Sequence, residues 1–574
     1  MTTLTANEAP PPNYYASNLR EVIGHLDKHQ LDVLGPQAAD DLRRIASLDE
    51  QPLRLLARLI TRTTEIVRCN ALNYAEVDNT EQCLVTLTDA GLIESCPPIA
   101  ADALLARLRV AEIRQLFPRR EQRCKTKQAL VSMVLHHYGD AQIQAIVAQQ
   151  IQWVGLCIGD SLQRMLIAYF GSARKDFSDF VIRDLGLVQF EDYGLDANCR
   201  VFDSAADMQS YLDLLVLQRL PARQRAAALP WLLRLIRQTR APGDPNPDLR
   251  RRQDRLLIEW GRDFERETDF AAALTCYAAA HAHPARERQV RILSKLAKTK
   301  PPAATPQGIG LSHLPADPAT AARDLLERMH GEPVSLNEKL FADKQLSLIS
   351  KANANSKLSA LNDLPTPWRE TLWRVTHAPY PNVEQRVLGE LVGNGGSGWH
   401  VENALFTSLL GLAFWDCIFA PIAGMFSHAF QSGPRDLYWP DFRHRRSERI
   451  ANRLRLLAKP GALWREIHAT HATKFGLSCS LVSWPFMHPN VLAAVQQSMS
   501  SEQLLGVFDF MLTDLRQTRT GLPDLFVCYA PGAFELVEVK GPGDQLQPNQ
   551  RVWLNQLSEL GIPCRVIMLR AGGA

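Results

Sequence analysis

The sequence predicts a multidomain, mostly α-helical chain that ends in a small α/β domain. Three observations predict it. The chain has 574 residues, which at ~150 residues per domain suggests about four domains. Apolar residues recur at helical spacing from about residue 18 to residue 375. After residue 504 the pattern changes to short strand-like runs between turns, at 525–529, 534–540 and 564–569.

The composition is that of an ordinary globular protein, 46% apolar and 22% charged. The 64 Lys and Arg nearly balance 61 Asp and Glu, leaving +3. The chain is therefore no polycation, and any nucleic-acid surface must come from local clustering. Eleven Cys are scattered without a C-x-x-C pair, which argues against a Cys-based zinc site and a disulfide framework and fits a reducing cytosol. The start, M-T-T-L-T-A-N-E-A-P-P-P, lacks a basic and an apolar segment, so no secretory signal is expected. The most membrane-like run, Leu409 to Phe426, contains Asp416 and Pro421 and reads as a buried helix.

Four regions are expected: 1–80, 81–205, 206–378 and 379–574. In the first, Leu31, Leu34, Leu53, Leu55, Leu56, Leu59 and Ile60 follow helical spacing. In the second, Leu104, Leu105, Leu108, Ile113 and Leu116 form one periodic set, and Leu130, Val131, Val134 and Leu135 the next. Between them lie Arg119, Arg120, Arg123, Lys125 and Lys127, amines that two short helices can lay along a duplex backbone. This pattern resembles a SAP motif, a small helical DNA-binding module. In the third, residues 219–266 hold 12 Arg, no Lys and 6 acidic residues, a face able to track phosphates. The segment 271–286 is similar to a degenerate tetratricopeptide helix pair.

The fourth region carries the chemistry. Gly521-Leu522-Pro523-Asp524 is a turn, Leu525 to Tyr529 a strand, Ala530-Pro531-Gly532 a turn and Phe534 to Lys540 a second strand. Side chains alternate along a strand, so Glu538 and Lys540 share a face. A hairpin brings Asp524, at the head of the first strand, beside Glu538. Two close carboxylates repel unless a cation lies between them. Hard oxygen ligands suit Mg²⁺ or Mn²⁺. Such an ion polarises a phosphodiester and lowers the pKa of bound water, while Lys540 stabilises developing negative charge or orients the nucleophile. Pro548 to Leu560 reads as a helix and Cys564 to Leu569 as a third strand. Upstream, Glu402 is expected to begin a helix and point along its apolar stripe with Leu405, Phe406 and Leu409. Gly393 to Gly398 reads as a mobile loop, and Asp436 and Asp441 as loop caps. Arg443, Arg445, Arg446, Arg449, Arg453 and Arg455 form a basic stretch expected to meet DNA. The pairs His136/His137, His281/His283 and His468/His471 are read as structural or surface residues.

Pro523-Asp524 and Glu538-Val539-Lys540, followed by helix and strand, resemble the PD-(D/E)xK nuclease core. With the stretches 401–416, 480–484, 521–525 and 536–544, the chain resembles the VRR-NUC domain of the Fanconi-associated nuclease family. The segments 184–193 and 283–293 extend the likeness over most of the chain and point to a bacterial-type member. The resemblance implies a divalent-metal-dependent nuclease that incises 5′ flaps, trims 5′ ends in the 5′ to 3′ direction and helps unhook interstrand crosslinks. It implies that Glu402, Asp524 and Glu538 hold the metal with the Val539 carbonyl, that Lys540 is the catalytic lysine, and that Gln550 is an auxiliary residue. It further implies branched or flapped DNA as partner, no membrane, no ubiquitin-binding finger, and a bacterial cytoplasmic, nucleoid-associated setting. A four-way-junction nuclease and a non-catalytic helical scaffold are the alternative readings.

Overall fold

A computed structural model describes the chain except for residues 1–12, 63, 65, 119–125, 187, 196–198, 241–245, 299–316, 354–367, 376–381, 394 and 572–574. The chain separates into two compact units, residues 1–188 with 199–208, and residues 189–198 with 209–574.

The first unit is mainly helical, as its periodicity requires. Its N-terminal helices include Tyr14–His29, Pro36–Ala46 and Glu50–Ile60. A three-stranded antiparallel sheet joins β1 (Ile66–Arg68), β2 (Ile93–Ser95) and β3 (Trp153–Leu156) in the order β1-β3-β2. These strands are three or four residues long, too short to leave a period-two signature, and the sequence reading has none here. The short helices Ala101–Ala106, Val110–Leu116, Lys127–His137 and Asp140–Ala148 share one core. That core contains Leu104, Leu105, Leu108, Ile113, Leu116, Leu130 and Val134, while Val131 and Leu135 are only partly covered.

The second unit begins with helix pairs, among them Ala222–Thr239, Pro247–Arg266, Phe270–Ala279 and Ala285–Leu296. It ends in a five-stranded mixed sheet of order β4-β8-β7-β6-β5. The strands are β4 (Arg369–Val375), β5 (Ser397–His400), β6 (Leu525–Ala530), β7 (Ala533–Lys540) and β8 (Cys564–Ala571). The hairpin β6–β7 is antiparallel, with Leu525 opposite Val537 and a register shift near the Pro531-Gly532 turn. Strand β8 runs parallel to both β7 and β4.

Alternation sorts the sheet's side chains to two faces. Val537 and Val539 pack with Leu525, Val527 and Ile567 under the helix Val383–Val392. Phe534 and Leu536 join a larger core with Trp553 and Leu557 of the helix Pro548–Glu559. The face carrying Leu536 is the one that Glu538 and Lys540 continue. Gly393 to Gly398 is not simply a loop, because β5 starts within it. At Gly398 a Cβ would lie 2.6 Å from Leu388 Cδ1 of the covering helix, so glycine permits that helix to seat. The chain after residue 504 also stays helical longer than expected, through Ser501–Met511 and Leu515–Thr518, before β6 begins. The apolar run from Leu409 is interior: Ala404–Ala413 is a helix buried at every position from Leu405 to Ala413. Among the described residues no helix is long and apolar enough to cross a membrane.

Candidate active site

Asp524 immediately precedes β6 and organises two segments at once. Its Oδ2 accepts a hydrogen bond from the Val539 N–H at 2.8 Å, tying it across the hairpin. Its carbonyl accepts from the N–H groups of Val401 and Glu402, at 2.8 and 3.0 Å. Just upstream, Gly521 has φ +88°, and a Cβ there would lie 2.6 Å from Asn549 Nδ2. Glycine thus lets the Pro-Asp turn pass against the first turn of the helix that bears Gln550.

Glu402 does not begin a helix. It sits in the turn between β5 and the helix Ala404–Ala413, exposed, with φ +33°. A left-handed backbone at a residue other than glycine costs on the order of 1 kcal/mol and concentrates at functional sites. The Asp524 carbonyl holds it there. The buried stripe starts only at Leu405, so the Glu402 carboxylate faces outward, accepting from Asn403 Nδ2 at 3.2 Å. With His400, Asn403 and Phe486 it lines a shallow cavity of about 350 Å³.

Glu538 is 1% exposed and Lys540 9%. The Lys540 Nζ lies 2.8 Å from Glu538 Oε1, and Gln550 Nε2 donates to the same oxygen at 2.6 Å. Glu538 Oε2 is buried with no hydrogen-bond partner. Burial pushes the Glu538 carboxyl up to about 7, the Asp524 carboxylate adds to the rise, and the Lys540 ammonium opposes it. Asp524 is also raised, by burial first, against the pull of the Val539 N–H and of Lys540. An unpaired carboxylate oxygen on a buried side chain, beside a second acid, is an environment that favours a bound cation. The donor set of hard oxygens fits a divalent ion of the Mg²⁺ class. The cage is not preformed: among the described residues no three Asp, Glu, His or Cys side chains are grouped closely enough to hold a metal. The Asp524 charge, and more weakly that of Glu402, oppose the ionised form of Glu538.

The basic residues divide into distinct groups. Arg119, Arg120, Arg123 and Lys125 lie outside the described residues, and the Lys127 amine donates to the Ala106 carbonyl. Arg443 pairs with Asp509 and Arg445 with Asp441, both on partly open surface. Arg446 is a correction to the sequence reading. It is fully buried, donating from Nη1 and Nη2 to both oxygens of Asp436 at 2.7 and 3.0 Å and from Nε to the Cys417 carbonyl at 3.0 Å. It braces the core and has no face to offer a ligand. Asp436 is accordingly this arginine's partner, not a loop cap.

The Arg face expected along 219–266 borders a cleft in the structure. This cleft of about 590 Å³ is lined by Arg251, Arg255, Arg262 and Arg266 of one helix, together with His283 and Arg516. Arg251 stacks 4.0 Å over Trp439, and burial draws its guanidinium down to about 10. The run of Arg without Lys at 219–266 was the available signal. The contribution of Arg516 was invisible, since it comes from a distant segment.

Two family models match this chain: "VRR-NUC domain" over residues 458–570 and "FAN1, HTH domain" over residues 13–94. A Fanconi-associated nuclease 1 homolog of Pseudomonas aeruginosa is 30% identical, over 98% of this chain and 96% of its own length. A homolog from Oryza sativa is 24% identical, over 97% of this chain and 62% of its own. The Homo sapiens Fanconi-associated nuclease 1 is 35% identical over 34% of this chain and 20% of its own. Among solved structures, paFAN1 bound to 2nt 5′ flap DNA with gap superposes with a TM-score of 0.79 at 28% identity, covering 99% of this chain and all of that one.

Proposed function

This chain belongs to the Fanconi-associated nuclease family, and on that premise we propose that it is a divalent-metal-dependent phosphodiesterase that cuts DNA at 5′ flaps. It incises as an endonuclease, trims as a 5′ to 3′ exonuclease, and serves interstrand crosslink repair. The observation that carries the reading is the meeting of Asp524, Glu538 and Lys540 at the end of one hairpin, with a Glu538 oxygen left bare. The solved relative bound to a 5′ flap DNA supports the choice of substrate.

In this reading Glu402, Asp524, Glu538 and the Val539 carbonyl hold Mg²⁺ or Mn²⁺. When bound, the ion supplies Lewis-acid polarisation of the phosphodiester and a more acidic water. The protein's own residues do the rest. Gln550 and Lys540 both load Glu538 Oε1 and so fix the carboxylate, leaving the buried Oε2 without a hydrogen-bond partner and available to an ion. Lys540 is the ammonium that pairs with Glu538, placed to donate to the attacking water or to the phosphate oxygen that gains charge. The exposed carboxylate of Glu402 stands on a backbone that the Asp524 carbonyl itself anchors. The Arg-lined cleft offers guanidinium groups for a DNA phosphate. Arg443, Arg445, Lys127 and the basic residues 119–125 act as backbone contacts.

The test uses the purified chain with labelled 5′ flap and four-way-junction substrates, each with Mg²⁺, Mn²⁺ or chelator. Cleavage of the flap that requires either ion and exceeds junction cleavage is the expected result. Junction preference would move the specificity to the resolvase class, and cutting that survives the chelator would overturn the metal assignment.

A further inference from the structure

We propose that Phe475, braced by His471 and Trp484, is a stacking platform for an unpaired base of the DNA substrate. The inference deepens the nuclease reading and rests on it. Phe475 follows the helix Ala462–Lys474 and is 63% exposed, the largest exposure of any large hydrophobic residue described. A solitary exposed ring on a protein surface is ordinary. This one is not solitary. Its ring meets that of Trp484 at 5.2 Å and 60°, and that of His471 at 5.5 Å; His471 and Trp484 meet at 5.8 Å and 65°.

Each bracing ring is itself fixed by a hydrogen bond. The Trp484 indole N–H donates to the Leu477 carbonyl at 2.6 Å, and His471 Nε2 lies 2.9 Å from the Met487 carbonyl. The inclined contacts with Trp484 and His471 brace Phe475 while most of its surface stays exposed, and exposed ring surface is what a stacked base needs. A ring already immobilised loses little entropy when it binds.

The place of the cluster argues for the occupant. Trp484 and Phe486 belong to one short helical turn, and Phe486 lines the cavity that contains His400, Glu402 and Asn403. The N–H of Ser483, at the head of that turn, donates to Ser408 Oγ at 3.0 Å, on the helix that starts at the cavity. The turn that braces the platform therefore also borders the cavity that contains Glu402. A nuclease of flapped DNA meets unpaired bases close to the acids that cut it. Every base has a π face, so stacking on aromatic rings holds such nucleotides without reading their sequence.

The test uses the full-length protein in chelator, with a one-nucleotide 5′ flap whose unpaired base is 2-aminopurine. The parent protein is expected to quench the fluorophore on binding. F475A is expected to abolish the quench and bind on the order of 10-fold more weakly, as loss of one base–aromatic stack implies, whereas F475W retains both. An abasic flap should weaken the parent by a similar factor and leave F475A unchanged, which separates stacking from misfolding. Equal quench and affinity in F475A would overturn the platform alone. No binding of the flap by the parent, measured by anisotropy, would overturn the nuclease reading and the platform with it.

Discussion

Two buried ion clusters in the same unit, Arg446 with Asp436 and Lys540 with Glu538, use the same kinds of charge to opposite ends. In the first, every strong acceptor is matched: both Asp436 oxygens receive a guanidinium N–H, and the third donor finds the Cys417 carbonyl. In the second, one Glu538 oxygen takes two donors while the other takes none, and Asp524 adds a like charge nearby. A satisfied cluster locks a fold. An unsatisfied one holds free energy that a ligand can release.

The sharpest way to break this comparison is to remove one partner from each. Asp436→Ala leaves a buried guanidinium without its counter-charge and is expected to cost about 3–5 kcal/mol of stability, visible as a large fall in Tm. Lys540→Ala is expected to cost much less stability, because Glu538, with its carboxyl already near 7, takes up a proton when the ammonium is gone. Its flap cleavage should fall about 10²–10³-fold, the usual loss of a charge-stabilising donor. If both variants lose stability equally, the two clusters are alike and the distinction is wrong.

A second, smaller effect tests the unsatisfied oxygen itself. Glu538→Gln removes the strained charge, so in chelator the variant should be more stable than the parent by about 1 kcal/mol, while cleavage is lost. The pH dependence gives the sign. The folded carboxyl titrates near 7, above its ordinary 4.5, so the folded state binds the proton more tightly than the unfolded. The parent in chelator should therefore lose stability as pH rises from about 4.5 through 7, and Glu538→Gln should show a shallower slope, that of Asp524 remaining. A matching slope in both variants would assign it to another group.

The smallest effect is expected at Arg443, whose pairing with Asp509 is solvent-exposed. Arg443→Ala should change stability by less than about 1 kcal/mol. If Arg443 contacts a DNA phosphate, the same change lowers the slope of log affinity against log salt by about one contact. An unchanged slope would leave Arg443 as a plain surface ion pair.

The legibility of these regions differed for one reason, sequence distance. The β6–β7 hairpin, the shared face of Glu538 and Lys540, and the helix carrying Gln550 lie within some forty residues and follow from alternation and turn chemistry. The outer strands did not follow. Strand β4 pairs in parallel with β8 almost two hundred residues later, and its residues alone carry no sign of that partner. Glu402 was misplaced because helical spacing gives the stripe from Leu405 onward but not the residue at which the backbone leaves the helix. Arg446 was misread because a dense basic run looks alike whether its members face solvent or Asp436.

By itself the sequence determined which two acids and which amine stand at the end of one hairpin, Asp524, Glu538 and Lys540, and the local geometry that aligns them. Those are properties of a short stretch of backbone with a period of two. The tertiary structure alone decided which charges are buried, which oxygen is left bare, and which arginines line a cleft. Burial and pairing are set by segments far apart in the chain, and the cost of a buried charge depends on every partner that folding brings to it.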